Sequence, residues 1–476
     1  MLPVPKLGWT LWLTGCPCWR PRYRTRVGRL AGMAKKGLAG AARGRRGFLS
    51  LITKNTDARD WPALRRPTQA YVAVLETKLA SEHKMPSYPE VAGGQESGRQ
   101  GLRVALVAGA LGRGGAEKQF FYMARSLTAL GVCVRVYSVT RGEPFEAKLQ
   151  ELGVPVHWFG ELGNPALRVV VLTKLLRSFR PHVIQSSHPF ANLYAALAGR
   201  WLNAMSLGAQ RSDWAFTRED NGLWAYPLMM TPSAVIANSE KARREFTSHR
   251  SLGPVSVHVL ANAIDLDHYG PAQTDAAPGV AGREPVAVFV ARLVAVKRLD
   301  RFLGALAIAS RQVPALRGMV VGDGPERKPM QQVARELGLS SRVEFLEERD
   351  DVSALLRDAR FLVLSSDREG TPNVILEAMA TGIPVITTPV GDAATIVLDG
   401  VTGYVVAYED TQGMAARMVE LARSPQLCRQ LGEAGRERVR ERHSLDGLGD
   451  RLLAIYQDVA RHQNNRQLLR LLAEFI

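Results

Sequence analysis

Two glutamates eight residues apart, Glu369 and Glu377, stand in the segment of this 476-residue chain whose residue types best suit chemistry. An apolar run that predicts a strand ends just before Glu369, and a helix pattern begins at Pro372, a residue type favoured at helix starts. Glu369 would therefore lie in a loop, and Glu377 about one turn into the helix. Two carboxylates placed in this way can accept hydrogen bonds from hydroxyl groups, while the free backbone N–H groups of residues 370–373 could bind phosphate.

Two cations belong to a neighbouring strand pattern. Arg292 ends that strand, and Lys297 follows five residues later. Together they could neutralise a diphosphate leaving group, whose negative charge grows as its bond to a sugar breaks. A pair of solvated surface charges is the plainer explanation of the two residues taken alone. Gly322 and Asp323 also end a strand pattern, where a simple turn explains them as well as a backbone contact to a ligand does.

A glycine-rich loop lies near the start of the patterned region. Gly112, Gly114 and Gly115 follow an apolar strand pattern and precede a helix pattern that begins near Ala116. Glycines allow close approach of the backbone, and a helix start favours an anion. The spacing does not match the dinucleotide fingerprint G-x-G-x-x-G. A tight turn and a phosphate contact therefore remain alternatives for this loop.

Apolar runs alternate with helix patterns along the chain and predict two parallel sheets in succession. The first series of strands is expected at 103–109, 132–139, 154–160, 182–187, 206–212, 234–240 and 255–262, and the second at 285–293, 316–324, 342–347, 360–366, 383–388 and 403–406. We expect an α/β fold of two facing, Rossmann-like, doubly wound domains with the ligand site in the cleft between them. The expected boundaries are 101–270 for the N-terminal, acceptor-side domain, 271–284 for a linker, 285–445 for the C-terminal nucleotide-sugar-binding domain, and 446–476 for a C-terminal helix and tail that packs back toward the N-terminal domain.

Positive charge is concentrated at the start of the chain. The net charge is +17, and residues 1–100 alone carry 18 Lys and Arg against 6 Asp and Glu. These residues show little periodicity, so we expect a basic, disordered N-terminal extension, or an upstream piece that precedes a true start at Met33 or Met85. A basic arm for an anionic membrane or nucleic acid is the alternative. The nearly balanced remainder gives no reason to expect nucleic acid as a partner.

The motifs resemble those of retaining glycosyltransferases of family 4 (glycosyl transferases group 1), which have the GT-B fold. The matching motifs are GRGGAE at 112–117, RSD at 211–213, ANSE at 237–240, ARL at 291–293 with Lys297, GDGP at 322–325, and EGTPNVILEAMATGIPV at 369–385. The resemblance covers roughly residues 101–460, and the last motif is the most specific.

The resemblance implies a role for each site residue. Arg292 and Lys297 would contact the nucleotide diphosphate, Glu369 would hold the transferred sugar, and Glu377 would hold the ribose. His188 corresponds imperfectly to a histidine of the family, so a catalytic and a structural role are alternatives for it. The remaining donor-binding candidates are residues of the loops at strand ends: Gly370, Thr371, Pro372, Asn373, Gly322, Asp323, Gly114 and Gly115. The family needs neither a metal nor a cofactor, and a UDP-sugar is the favoured donor.

The predicted activity is therefore metal-independent transfer of a hexosyl group, with retention, to a glycan or lipid-linked acceptor in cell-envelope polysaccharide synthesis. One alternative is a synthase that uses a small sugar phosphate, which would need a basic pocket near Arg211. A catalytically inactive, sugar-nucleotide-binding scaffold is another. The expected location is the cytoplasm. The basic helix pattern at 167–180 has two alternative explanations, which are peripheral contact at the inner face of the membrane and an ordinary sheet-packing helix with a solvated basic face.

Overall fold

The computed structural model describes residues 101–161, 163–211, 214–222, 225–249, 255–270 and 284–475. The expected extension over residues 1–100 lies outside these described residues. So do nearly all of the linker expected at 271–284 and the last two residues of the RSD motif. Apart from Glu161–Val170, the described residues belong to one compact unit.

The first sheet has seven described strands, in the order β3-β2-β1-β4-β5-β6-β7, and its strand pairs are parallel. The strands are β1 Arg103–Ala108, β2 Cys133–Ser138, β3 Val156–Trp158, β4 Val183–Ser186, β5 Met205–Gln210, β6 Ala234–Ala237 and β7 Ser256–Val259. All residues of β4, β5 and β6 are buried, as in a sheet covered on both faces. The strand order reverses between β1 and β4, where the carboxyl ends of the strands open a crevice.

The second sheet has six described strands, also parallel, in the order β10-β9-β8-β11-β12-β13. The strands are β8 Val286–Val290, β9 Arg317–Val321, β10 Val343–Leu346, β11 Phe361–Leu364, β12 Val385–Thr387 and β13 Gly403–Val405. Here the order reverses between β8 and β11. Arg292 and Lys297 follow the first of these strands and Glu369 follows the second, so all three residues lie at this reversal.

Helices connect the strands. They are α1 Gly115–Ala129, α2 Pro144–Glu151, α3 Pro165–Phe179, α4 Pro189–Leu202, α5 Trp214–Asn221, α6 Ala225–Met230, α7 Glu240–Ser248, α8 Leu266–Tyr269, α9 Leu299–Gln312, α10 Arg327–Glu336, α11 Val352–Asp358, α12 Asn373–Thr381, α13 Ala393–Ile396, α14 Thr411–Arg423, α15 Pro425–His443, α16 Leu448–His462 and α17 Arg466–Leu472. The expected α/β fold with two Rossmann-like domains is confirmed, and every predicted strand is present with ends that differ by at most three residues.

The C-terminal helix α16 packs in the core of the first sheet rather than the second. Leu452 and Tyr456 are fully buried there, and the Tyr456 hydroxyl donates to Gln185 Oε1 on β4 at 2.6 Å. Just before this helix, the backbone N–H of Leu445 donates to the Ile264 carbonyl at 3.0 Å. The chain thus returns from the second domain and completes the core of the first.

Candidate active site

A lysine from the turn after β8 contacts a glutamate from the loop after β11. Lys297 Nζ lies 2.5 Å from Glu369 Oε1, and the Ser366 hydroxyl donates to the same oxygen at 2.8 Å. The Lys297 and Glu369 side chains are only 22% and 12% exposed, so water screens their charges weakly. The sequence predicted both residues for the site, and the structure brings them together.

A buried arginine joins this loop to the turn that carries Lys297. The Arg301 side chain is 5% exposed, and it donates to the Ser365 carbonyl at 3.1 Å and to Asp367 Oδ1 at 2.6 Å. Its second terminal nitrogen contacts the carboxylate of Glu409. Arg301 lies in the first turn of α9, the helix that follows Lys297. Its hydrogen bonds therefore fix Ser365 and Asp367 of the loop relative to this helix.

The turn itself is held by the adjacent Arg298. This residue has a φ of +50°, in the left-handed region that non-glycine residues rarely adopt. Its guanidinium binds Asp300 through two bonds of 2.9 and 3.0 Å and also reaches Asp367. The hydrogen bond that Arg298 donates to Asp300 raises the pKa of Arg298 despite partial burial. These contacts compensate for the backbone conformation, which costs on the order of 1 kcal/mol.

The carboxylate of Glu377 is bound by a lysine on helix α1 of the first domain. Glu377 lies in the first half of α12, where its side chain is 6% exposed, and Lys118 Nζ lies 2.5 Å from its Oε1 atom. Lys118 also donates to the Tyr269 hydroxyl at 2.8 Å. Sequence reasoning missed both partners. The one local signal was the position of Lys118 at the start of the helix that follows the glycine loop.

The glycine loop meets the start of α12. A Cβ atom on Gly115 would collide with the side-chain amide of Asn373, so a larger residue here would displace that amide. Gln119 Nε2 donates to Asn373 Oδ1 at 3.1 Å, and Asn262 Nδ2 donates to the same atom at 2.9 Å. Gly114 is the N-cap of α1. The structure therefore brings Gly114, Gly115 and Asn373 together, and it adds Gln119 and Asn262 to the residues predicted.

The residues between Glu369 and α12 are fixed by the first domain. A Cβ atom on Gly370 would collide with the Arg211 carbonyl, which requires glycine. The Thr371 hydroxyl donates to Asp392 Oδ2 at 3.0 Å. Pro372 is the N-cap, and the helix begins at the next residue. Burial raises the pKa of Asp392, while the bond from Thr371 lowers it in part.

Arg292 and the Gly322–Asp323 turn lie at the carboxyl ends of β8 and β9. Arg292 is exposed. The N–H of Leu293 donates to the Asp323 carbonyl at 2.9 Å, which ties the two strand ends together. The turn therefore has a structural role, which was one of the two alternatives for these residues. It also lies beside Arg292, the arginine proposed to contact the diphosphate.

His188 belongs to a cluster on the first domain. Its Nδ1 atom lies 2.7 Å from the Ser187 hydroxyl, and its Nε2 atom lies 3.4 Å from Glu117 Oε1. Arg211 Nε donates to the Ser187 carbonyl at 3.3 Å. Burial lowers the pKa of Arg211 to about 10, while the nearby charge of Glu117 acts in the opposite direction. A histidine, a carboxylate and a partly desolvated cation therefore share the end of β4.

Two properties of the described residues bear on metals and membranes. These residues include no group of three or more His, Cys, Asp or Glu side chains arranged to hold a metal ion. Within the same ranges, we find no helix with the length and apolar character that crossing a bilayer requires.

Two family profiles match the chain in succession. The profile described as Glycosyltransferase Family 4 matches residues 113–268, and the profile described as Glycosyl transferases group 1 matches residues 272–438. The chain belongs to the glycosyltransferases. This confirms the resemblance inferred from the motifs, and the second profile covers the domain that holds Lys297, Glu369 and Glu377.

Curated relatives of this glycosyltransferase include proteins whose names contain a small molecule. It is 33% identical over 190 residues to N-acetyl-alpha-D-glucosaminyl L-malate synthase of Bacillus anthracis, a match that covers 40% of this chain and 50% of the relative. It is 31% identical over 242 residues to D-inositol 3-phosphate glycosyltransferase of Mycobacterium avium, which covers 48% and 55%. The chain thus spans about half the length of these curated relatives.

A solved structure shares the fold of the glycosyltransferase. Anabaena HepE in complex with UDP-glucose superimposes with a TM-score of 0.65 at 22% sequence identity, over 76% of this chain and 100% of that one. This similarity supports the assignment of the GT-B fold.

Proposed function

We propose that this glycosyltransferase moves a hexosyl group from a UDP-sugar to a glycan or lipid-linked acceptor, with retention, in cell-envelope polysaccharide synthesis. The observation that carries the proposal is the Lys297–Glu369 pair, which lies beside the start of α12. The site then combines three groups: a cation that can bind phosphate, a carboxylate that can bind sugar hydroxyls, and a helix start that can bind an anion. The relation of HepE to UDP-glucose is consistent with a UDP-sugar donor.

In the proposed reaction, the bond between the hexosyl C1 and the β-phosphate oxygen breaks as the acceptor oxygen bonds to C1 on the same face. The acceptor proton passes to the departing phosphate oxygen, so no side chain is assigned as a general base. Arg292 and Lys297 stabilise the negative charge that grows on the diphosphate. They take the place of the metal ion that stabilises this charge in other transferases. Glu369 orients the hexosyl group, and Glu377 orients the ribose.

A second candidate acceptor is a small anionic molecule such as a sugar phosphate. Arg211 favours it, because burial destabilises this cation and an anionic ligand would offset that cost. The names of the two curated relatives, which contain malate and inositol 3-phosphate, point in the same direction. In this reaction His188 would lie beside the acceptor, because it directly follows Ser187, whose carbonyl accepts from Arg211 at 3.3 Å.

The remaining alternative, a scaffold that binds a sugar nucleotide without turnover, is separated from both enzymes by one experiment. The protein is incubated with UDP-hexoses and either a lipid-linked glycan or a sugar phosphate, and the product is analysed by NMR. We expect release of UDP and a product whose anomeric configuration equals that of the donor, unchanged by EDTA. An inverted product would contradict retention, and loss of transfer in EDTA would contradict metal independence. Nucleotide binding without any product would support the scaffold.

The proposed location is the cytoplasm, with peripheral contact at the inner face of the membrane. The basic residues Lys174 and Arg177 on α3 motivate this proposal. Co-sedimentation with anionic vesicles tests it, and equal recovery with neutral vesicles would count against it.

A further inference from the structure

Three distant segments meet at Glu377. Lys118 lies 259 residues before it in sequence and Tyr269 lies 108 residues before it, yet the Lys118 ammonium bridges the Glu377 carboxylate and the Tyr269 hydroxyl at 2.5 and 2.8 Å. The side chain of Glu377 is 6% exposed and that of Lys118 is 24% exposed. This contact plays no part in the reaction described above, in which Glu377 alone binds the ribose.

The position of Lys118 is fixed by the residue that follows it. Gln119 is buried, and it exchanges two hydrogen bonds with the backbone of Ala263, from Nε2 to the carbonyl at 2.7 Å and from the N–H to Oε1 at 2.8 Å. Ala263 lies six residues before Tyr269. The start of α1 and the segment that carries Tyr269 therefore form one frame around the ammonium.

A buried carboxylate needs a partner to stay charged and to keep one orientation. Burial alone would lower the pKa of Lys118, but the charge of Glu377 and the hydrogen bonds to Glu377 and Tyr269 hold this pKa above its ordinary value. Lys118 is therefore charged at neutral pH. The ammonium contacts Oε1, so Oε2 is the oxygen we assign to incoming hydroxyl groups.

We propose that Lys118 is a positioning residue, which holds the Glu377 carboxylate so that nucleotide affinity depends on the ribose hydroxyls. This inference rests on the proposed function, in which Glu377 binds the ribose. Without the ammonium, the Glu377 carboxylate would rotate toward water and away from the position in which it accepts hydrogen bonds from the ribose.

The test compares the dissociation constants of UDP and 2′,3′-dideoxy-UDP by titration calorimetry. A hydrogen bond to a charged group is worth about 1.5–3 kcal/mol, so wild-type protein should bind the dideoxy nucleotide about 10- to 100-fold more weakly. In Lys118→Met we expect this ratio to fall to about threefold or less, and in Lys118→Arg to recover in part. General damage to the site would weaken both nucleotides alike and leave the ratio unchanged.

Arg125→Met is the matched control, because Arg125 is a second cation of α1 that pairs with Asp265 and does not touch Glu377. It should keep the wild-type ratio. If Lys118→Met does not fold, Lys118→Gln, which keeps an N–H donor without the charge, carries the same comparison.

The outcomes separate the inference from the proposed function. A wild-type ratio in Lys118→Met, with a reduced ratio in Glu377→Gln, would overturn the inference alone. Tighter UDP binding by Lys118→Met with a larger ratio would also overturn it, since Lys118 would then compete with the ribose. A wild-type ratio in Glu377→Gln, or a wild-type protein that ignores the ribose hydroxyls, would overturn the role of Glu377 and the inference with it. A folded wild-type protein that binds no UDP would contradict the UDP-sugar donor itself.

Discussion

Substitutions at the two partners of the Lys297–Glu369 pair are expected to affect nucleotide binding differently. In the free protein the Lys297 ammonium lies 2.5 Å from Glu369 Oε1, so a diphosphate must compete with this carboxylate for the cation. Glu369→Gln removes the competing charge while keeping the shape of the side chain. UDP should therefore bind to this variant at least as tightly as to wild type. Lys297→Met removes a phosphate contact and should weaken UDP binding.

The size of the effect follows from the burial of the pair. With side chains 22% and 12% exposed, the pair does not resemble a solvated surface salt bridge worth less than 1 kcal/mol. A hydrogen bond to a charged partner contributes about 1.5–3 kcal/mol, so Lys297→Met should raise the Kd of UDP by about 10- to 100-fold. Loss of the sugar contact in Glu369→Gln should lower kcat/KM by about 100-fold, since a positioned polar group at the reacting centre contributes on this scale.

Calorimetric titration with UDP and a UDP-release assay with the UDP-sugar measure the two quantities. Arg335→Met serves as a control for loss of one positive charge, because Arg335 lies exposed on α10. It should match wild type in both assays. If Glu369→Gln weakens UDP binding as much as Lys297→Met does, the pair acts as a structural unit and the assignment of separate roles is refuted.

Three further predictions concern stability and the support of the site. Tyr456→Phe leaves Gln185 Oε1 without its buried donor. It should reduce the free energy of unfolding, measured by denaturant titration, by about 1–3 kcal/mol. An unchanged midpoint would contradict the proposed anchoring of α16. Burial and then the charge of Arg103 lower the pKa of His182 from 6.5 to about 4, so the unfolded chain binds the proton more readily. The stability that neutral His182 contributes is therefore complete above pH 6.5. It declines by about 1–2 kcal/mol, after allowance for partial exposure, as the pH falls toward 4. His182→Gln should flatten this decline, and an equal pH dependence of the unfolding free energy in both proteins would refute the prediction. Arg301→Met should lower kcat about tenfold, because the loop after β11 is no longer fixed relative to α9. Arg301→Lys should restore part of the activity. A kcat equal to wild type in Arg301→Met would show that the loop keeps its position without this arginine.

The fold could be predicted from the sequence because parallel strands covered on both faces read as short, continuous apolar runs. β6 and β11 illustrate this, since every residue of each is apolar and buried. The ends of strands were predicted less well. The run at 316–324 extends three residues beyond β9, which ends at Val321, because Gly322 has a positive φ of 134° that ends the regular strand conformation.

The sequence predicted individual residues of the site from the pattern around each one, but not which distant residues contact them. Glu369 in the loop and Glu377 in the helix follow from the local pattern around Pro372, and the structure has both there. The partner of Glu377 could not be found in this way. Lys118 reaches it only because α1 and α12 start at facing strand ends, and this long-range arrangement leaves no local trace in the sequence.

A crystal structure of the protein with an intact UDP-hexose would locate all three parts of the donor at once. We expect the diphosphate against Arg292 and Lys297, the hexosyl group on Glu369, and the ribose on Glu377. In that complex, the Lys297 ammonium should have moved from the carboxylate to a phosphate oxygen. A UDP-hexose bound away from the segment between Glu369 and Glu377, or bound there with the sugar and the ribose exchanged, would contradict the account.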